Sequence, residues 1–168
     1  ARNPALRLAD LRGNVVTRLQ RLAERPELDA TVLALAGLAR LNFRISPDGW
    51  LQGDAVPDGL RATVLDLEEM LPCAGQGALG LEIRADDERL AAICERLNHF
   101  NTRQCVLAER AFLAAMGGGC QSPVAAYAEV AGSCLHLRAR ALVDGQLRRA
   151  EARGPVAEAL ELGRQVAA

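Results

Sequence analysis

With half of its 168 residues apolar and a formal net charge of −1, the chain is long enough to bury roughly 70% of the surface its unfolded form exposes, which argues against disorder and against an electrostatic nucleic-acid footprint. Five aromatic residues leave little for base stacking. All twenty basic residues are arginine, so the segment holds neither a Schiff-base lysine nor a Walker-type phosphate loop.

The opening reads as strand, turn, helix and strand. "LRLADL" (6–11) alternates apolar positions, "RGN" breaks the alternation, and Asn14 can cap a helix whose Val15, Leu19, Leu22 and Ala23 form one apolar stripe. "ATVLALAG" (30–37) is continuously apolar over strand length, as expected of a parallel strand covered on both faces, which completes a βαβ unit. Residues 42–71 mix prolines and glycines with polar residues. They read as a loop-rich excursion with one short helix near its end.

From Pro72, "PCAGQGALGLEIR" leads through glycines into a strand. Asp86 or Asp87 then starts a helix with Leu90, Ile93, Cys94 and Leu97 on one side. Thr102 opens a second helix, with Cys105, Ala108, Phe112 and Ala115 on one face, that stops at Gly117-Gly118-Gly119. Three strand-like runs follow, "PVAAYAEV", "CLHLRARALV" and "QLRRAEAR", separated by Ala131-Gly132 and Asp144-Gly145, which predicts an antiparallel meander. Pro155 suits the first turn of a closing helix whose Val156, Leu160 and Gly163 face that sheet. The chain divides near residue 100.

No run approaches 18 uninterrupted apolar residues, and the first residues lack the pattern of an export signal, so a soluble, cytoplasmic protein without membrane partners is expected. Cys73, Cys94, Cys105, Cys120 and Cys134 are odd in number and share no CxxC spacing. Reduced thiols fit better than a disulfide framework or a zinc site.

Candidate sites follow from position. Ligands of open α/β sheets bind beyond the carboxyl ends of the strands, which here places Arg12, Arg18 and Arg40 on one sheet edge. Guanidinium forks bind carboxylates, each contact contributing roughly 1.5–3 kcal/mol. The competing reading makes them solvated surface charges, like Arg21 and Arg25. Gly75-Gln76-Gly77 permits close backbone approach, although a tight turn explains it equally well. His99 and His136 lie near no triad or metal spacing and read as structural or surface groups. Cys120 stands outside any periodic run, behind three glycines, where one would suffice to stop a helix. A reachable thiol on adaptable backbone suits a reaction partner.

Taken in order, "LRGNVVTRL", "ALAGLARL", "LPCAGQGALGLEIR" and "LNHFNTRQCVLAERAFLAAMGGGCQSPVAAYAEV" resemble the porphobilinogen deaminase (hydroxymethylbilane synthase) family over most of residues 6–130. The resemblance implies a transferase that joins four porphobilinogen molecules head to tail with release of ammonia, giving hydroxymethylbilane in tetrapyrrole (haem) biosynthesis. It implies a dipyrromethane cofactor held by a thioether to Cys120, with Arg12, Arg18 and Arg40 on carboxylates, and Ala34, Gly37, Gln76 and Gly77 lining the pyrroles. The implied fold is α/β plus α+β: a partial periplasmic-binding-protein-like βαβ domain at 1–71, a segment at 72–100 returning to the family's first domain, and a small C-terminal domain at 101–168 with a three-stranded antiparallel sheet and helices. The implied full-length form is a monomer.

The departures matter too. The family's catalytic aspartate belongs to a first domain outside these residues, so no catalytic residue is assigned here and the segment is expected not to turn over substrate by itself. The strand of 72–97 is then left unpaired or differently paired. Two other readings compete: an anion-binding α/β module using the arginines without covalent chemistry, and a thiol hydrolase, for which the sequence names no convincing base near Cys120.

Overall fold

The computed structural model of the protein describes residues 3–119 and 122–168. These fall into two units, Ala1–Leu65 and Asp66–Ala168. Among the described residues no helix is long and apolar enough to cross a membrane.

In the first unit, Asn14 caps α1 (Val15–Glu24) by accepting a hydrogen bond from the Thr17 N–H at 2.8 Å. The apolar face of α1 brings Leu19 against Leu38 of α2 (Leu35–Arg40) and against Phe43 and Leu51. Phe43 precedes and Leu51 belongs to a hairpin of β1 (Arg44–Ile45) and β2 (Leu51–Gln52), in which Ile45 lies opposite Leu51. Its turn is tied by Ser46, whose Oγ accepts from the Trp50 N–H at 2.9 Å and whose N–H donates to the Trp50 carbonyl at 2.8 Å. Arg61 covers the Trp50 ring at 5.0 Å and donates to the Asp48 carbonyl at 2.6 Å. Much of the stretch expected as an unpatterned excursion therefore closes a small core. Its expected short helix is a turn at 67–69, in which Met70 N–H reaches the Asp66 carbonyl.

The strands expected to make a βαβ unit are not formed. Residues 6–11 pair with nothing in a ladder, Leu8 is fully exposed, and the run at 30–37 is irregular up to Ala34 and then coils into α2. The strand expected after the glycine turn at 74–77 is also absent, with Leu79 80% exposed. Apolar alternation creates a face to bury, but a strand holds only when its backbone N–H and C=O groups find a neighbouring strand.

The first helix of the second unit is α3 (Glu88–Leu97), capped by Asp87 through Leu90 N–H at 2.8 Å and contributing no buried residue. Next comes α4 (Phe100–Ala115), capped by His99, whose ring Nδ1 accepts from Thr102 N–H at 3.3 Å. The expected meander follows: β3 (Val124–Ala131), β4 (Cys134–Val143) and β5 (Gln146–Pro155), antiparallel in the order β3-β4-β5. Asp144 and Gly145 take φ of +50° and +75°, the backbone a two-residue hairpin turn needs. Leu135, Leu137 and Ala139 of β4 face Ala108 and Phe112 of α4.

A 3₁₀ turn (Val156–Glu158) and α5 (Ala159–Ala167) close this core with Val156, Leu162 and Val166. Leu160, expected to face the sheet, is 46% exposed, because entry through the 3₁₀ turn hands that role to Leu162.

Gly163 sets the distance between α4 and α5. A Cβ there would collide with the Ala108 carbonyl oxygen and lie 2.7 Å from Ala111 Cβ. Gly163→Ala is expected to force the helices apart and destabilise this unit by about 1–3 kcal/mol. Urea unfolding monitored by circular dichroism measures it, and an unchanged midpoint would refute the close-packing account.

Candidate functional site

Arg12 and Arg18 stand on either side of the Gly13-Asn14 entry to α1. The Arg12 guanidinium is 86% exposed and pairs through Nε with Asp10 at 3.1 Å, while its carbonyl accepts from Arg21 Nη1 at 2.6 Å. Arg18 Nε donates to the Gly13 carbonyl at 2.8 Å, which holds that side chain against the start of the helix. Ala34 is the residue before α2, Gly37 packs beside Val15, and Arg40 is exposed in the last turn of α2. The argument from two parallel strand ends fails, since those strands are not formed. What brings Arg12 and Arg18 together is the capped N-terminus of α1.

Gln76 and Gly77 belong to the second unit, in a turn spanning 74–77. Gly75 and Gly77 adopt φ of +76° and +87°, and Gln76 N–H donates to the Cys73 carbonyl at 3.0 Å. The Gln76 side chain is exposed. Beneath this turn lies Glu109 of α4, only 6% exposed, which reasoning from sequence passed over. Its Oε2 accepts from Gly75 N–H at 2.6 Å and its Oε1 from Ala128 N–H at 2.8 Å. The signal was a charge placed on the same helical face as Cys105, Ala108 and Phe112.

Cys120 and Gln121 lie outside the described residues, so the thiol's environment is not stated. Its flank is described. Gly117 takes φ +68° and ends α4, its N–H reaching the Ala114 carbonyl while Gly118 N–H reaches Leu113, both at 3.0 Å. A Cβ on Gly118 would lie 2.7 Å from Ser122 Oγ and 2.8 Å from Leu113 Cδ1, the ends of two side chains that would have to shift, whereas a Cβ on Gly119 would meet nothing within 4 Å. Gly119 itself is tied to Ser122, its N–H donating to the Oγ at 3.1 Å and its carbonyl accepting from the Ser122 N–H at 3.0 Å. Gly117 and Gly118 thus carry the helix-stop hydrogen bonds, and Gly119, next to the cysteine, is bonded to Ser122 with room where a side chain would stand. The remaining cysteines, Cys73, Cys94, Cys105 and Cys134, are free thiols, and burial raises the pKa of Cys105 with the charge of Glu109 adding to it. His99 serves as the α4 cap. His136 lies between Glu129 and Glu151, at 3.5 and 3.2 Å, on the outer face of the sheet.

Residues 1–92 match the family model described as porphobilinogen deaminase, dipyromethane cofactor binding domain, and residues 103–168 match porphobilinogen deaminase, C-terminal domain. The chain belongs to the porphobilinogen deaminase family. It is also 45% identical over 169 residues to the porphobilinogen deaminase of Chromobacterium violaceum, an alignment covering 99% of this chain and 50% of that relative. The chain thus spans about half the length of the curated relative it matches.

In this family member the buried Glu109 has a measurable signature. Burial pushes its carboxyl above the ordinary range, against the opposing pull of the Gly75 and Ala128 N–H groups. With the native pKa above the unfolded value, the native state binds more protons between the two. The contribution of Glu109 to stability is therefore fully present below the unfolded value of about 4.3 and is lost as pH rises through the elevated native value. Urea unfolding between pH 4 and 8 is expected to show this decline for the native chain relative to Glu109→Gln. Parallel profiles would contradict it.

Proposed function

We propose that this protein acts as a porphobilinogen deaminase, a transferase that condenses four porphobilinogen molecules into hydroxymethylbilane in haem and tetrapyrrole biosynthesis. The observation that carries the reading is the match of both family domains along one chain, with the family's glycine-cysteine element intact at 117–120. Each condensation joins one ring to the next by a carbon–carbon bond as the aminomethyl nitrogen departs as ammonia. A dipyrromethane bound by a thioether to Cys120 would supply the fixed end from which the chain of rings grows.

The residues present suit such a group. Its side chains are carboxylates, and a carboxylate, Asp10, already pairs with Arg12. Arg12, Arg18 and Arg40 bind and orient acidic side chains, the first two where the N–H groups of α1 add their own partial positive charge. Ala34, Gly37, Gln76 and Gly77 line the pyrroles, and Gln76 offers both a donor and an acceptor. A Cβ on Gly119 would meet nothing within 4 Å, so the residue before Cys120 leaves room for a bulky group on the sulfur.

The same reading assigns the extended stretches at 6–11 and 30–34 to a periplasmic-binding-type domain whose strands complete their ladders in the full protein. It divides the chain at 1–71, 72–100 and 101–168. The full protein is taken as cytoplasmic and monomeric, with porphobilinogen as its small-molecule partner.

Intact-mass measurement of protein purified from cells that make porphobilinogen tests this directly. A two-pyrrole adduct is expected on the native chain and is expected to be lost in Cys120→Ser. An unmodified thiol in active protein would sink the reading and favour a non-covalent anion-binding module. Arg12→Ala is expected to leave the adduct in place and to weaken porphobilinogen binding up to about fivefold, a loss of up to about 1 kcal/mol in titration calorimetry, as suits an exposed ion pair. Unchanged affinity would return Arg12 to the solvated surface.

A further inference from the structure

Three observations meet at Glu109. Its side chain is buried in the core face of α4, yet each of its two oxygens is spent on a backbone N–H of a different element, Gly75 in the glycine turn and Ala128 in β3. The turn is also fastened just upstream, where Ala126 N–H donates to the Pro72 carbonyl at 3.1 Å, and Ala74 packs on the core. Finally, α4 runs without interruption from Glu109 to its glycine stop at Gly117, a span of about 12 Å.

We propose that Glu109 is a positioning residue: it ties the turn carrying Gln76 and Gly77 to α4, so that the helix acts as a rigid spacer between that turn and the glycine segment leading to Cys120. The inference rests on the reading that the turn and the cysteine serve one cofactor. A buried carboxylate suits this task better than an apolar residue. An apolar residue would fill the space but leave both N–H groups without acceptors, and a buried orphan donor is costly enough to drive the segment elsewhere. A carboxylate is acceptor-only, and its two oxygens match the two donors. Gly75 supplies the remaining condition, since its N–H reaches Glu109 from a positive φ of +76°, a backbone conformation that favours glycine.

Amide hydrogen exchange on the full 168-residue chain tests the tie. In Glu109→Ala, exchange across Gly75–Ala78 is expected to rise about tenfold or more, the equivalent of about 1.4 kcal/mol, while the β4 amides from Leu135 to Ala139 stay as in the native chain. Glu109→Gln retains one acceptor oxygen and serves if the alanine variant does not fold. Its acceleration is expected to stay confined to Gly75–Ala78 and Ala128. Equal acceleration through β4 would mean that Glu109 merely supports the core, and no change at Gly75–Ala78 in either variant would remove the tie altogether; both outcomes overturn the proposal. The adduct on Cys120 is measured in parallel. Its absence from the native chain would overturn the cofactor reading while leaving the exchange result to decide the role of Glu109.

Discussion

Backbone donors at the edge of a sheet must find acceptors, and the second unit is arranged around that requirement. β3 is an edge strand, and two of its N–H groups are satisfied from outside the sheet: Ala126 by the Pro72 carbonyl and Ala128 by Glu109. These contacts do more than saturate an edge that would otherwise invite another chain. They bring the segment 71–77 onto the domain and place a glycine turn beside the helix that leads to the cysteine. The outer face of the sheet fastens the same segment higher up, where Arg140 donates to the Glu68 and Glu69 carbonyls at 2.7 and 3.0 Å and Arg138 to the Glu68 carboxylate at 2.8 Å.

The same requirement explains why three apolar stretches remain extended and wet. Residues 6–11, 30–34 and 78–84 carry the pattern of strands, and Leu8, Val32, Leu79 and Leu81 are all more than half exposed. Hydrophobic residues gain from burial at about 25 cal/mol per Å², but the gain is collected only where a partner strand removes the cost of bare peptide groups. A sequence pattern records the face that a segment can bury. It does not record which neighbour is at hand.

Legibility followed the range of the interaction. The meander at 124–155 could be read because its turns are local, with Gly132 and Asp144-Gly145 at positive φ and alternation intact between them. The hairpin at 44–52 escaped because each strand is two residues long, although Pro47-Asp48-Gly49 is itself a turn signal. Glu109 escaped for the opposite reason: its partners lie 34 and 19 residues away, and its place on the apolar face of α4 shows only that the charge is buried, not what holds it. Arg12 and Arg18 were singled out by an argument from strand ends that the fold does not support, whereas the cap at Asn14, read correctly, is what gathers them. Cys120 was marked by its glycines and by resemblance, and two of those glycines turn out to answer to the helix stop.

A chain whose basic residues are all arginine must separate its structural guanidinium groups from its binding ones by placement alone. On the outer face of the sheet the Arg138 and Arg140 side chains are only 19% and 15% exposed. They are engaged with carbonyls, with Glu68 and, for Arg138, with the Tyr127 ring at 5.4 Å. Planar, multiply bonded and partly desolvated, they behave as cross-links, and a lysine could not reproduce the paired bonds from Arg140 to adjacent carbonyls. Arg12 is the reverse case: its exposed side chain pairs with one nearby carboxylate, Asp10, which another acidic group can replace without breaking any contact within the core. Exchange of one acidic partner for another costs little when both sit in water, so affinity at such a site grows by adding guanidinium groups rather than by strengthening one.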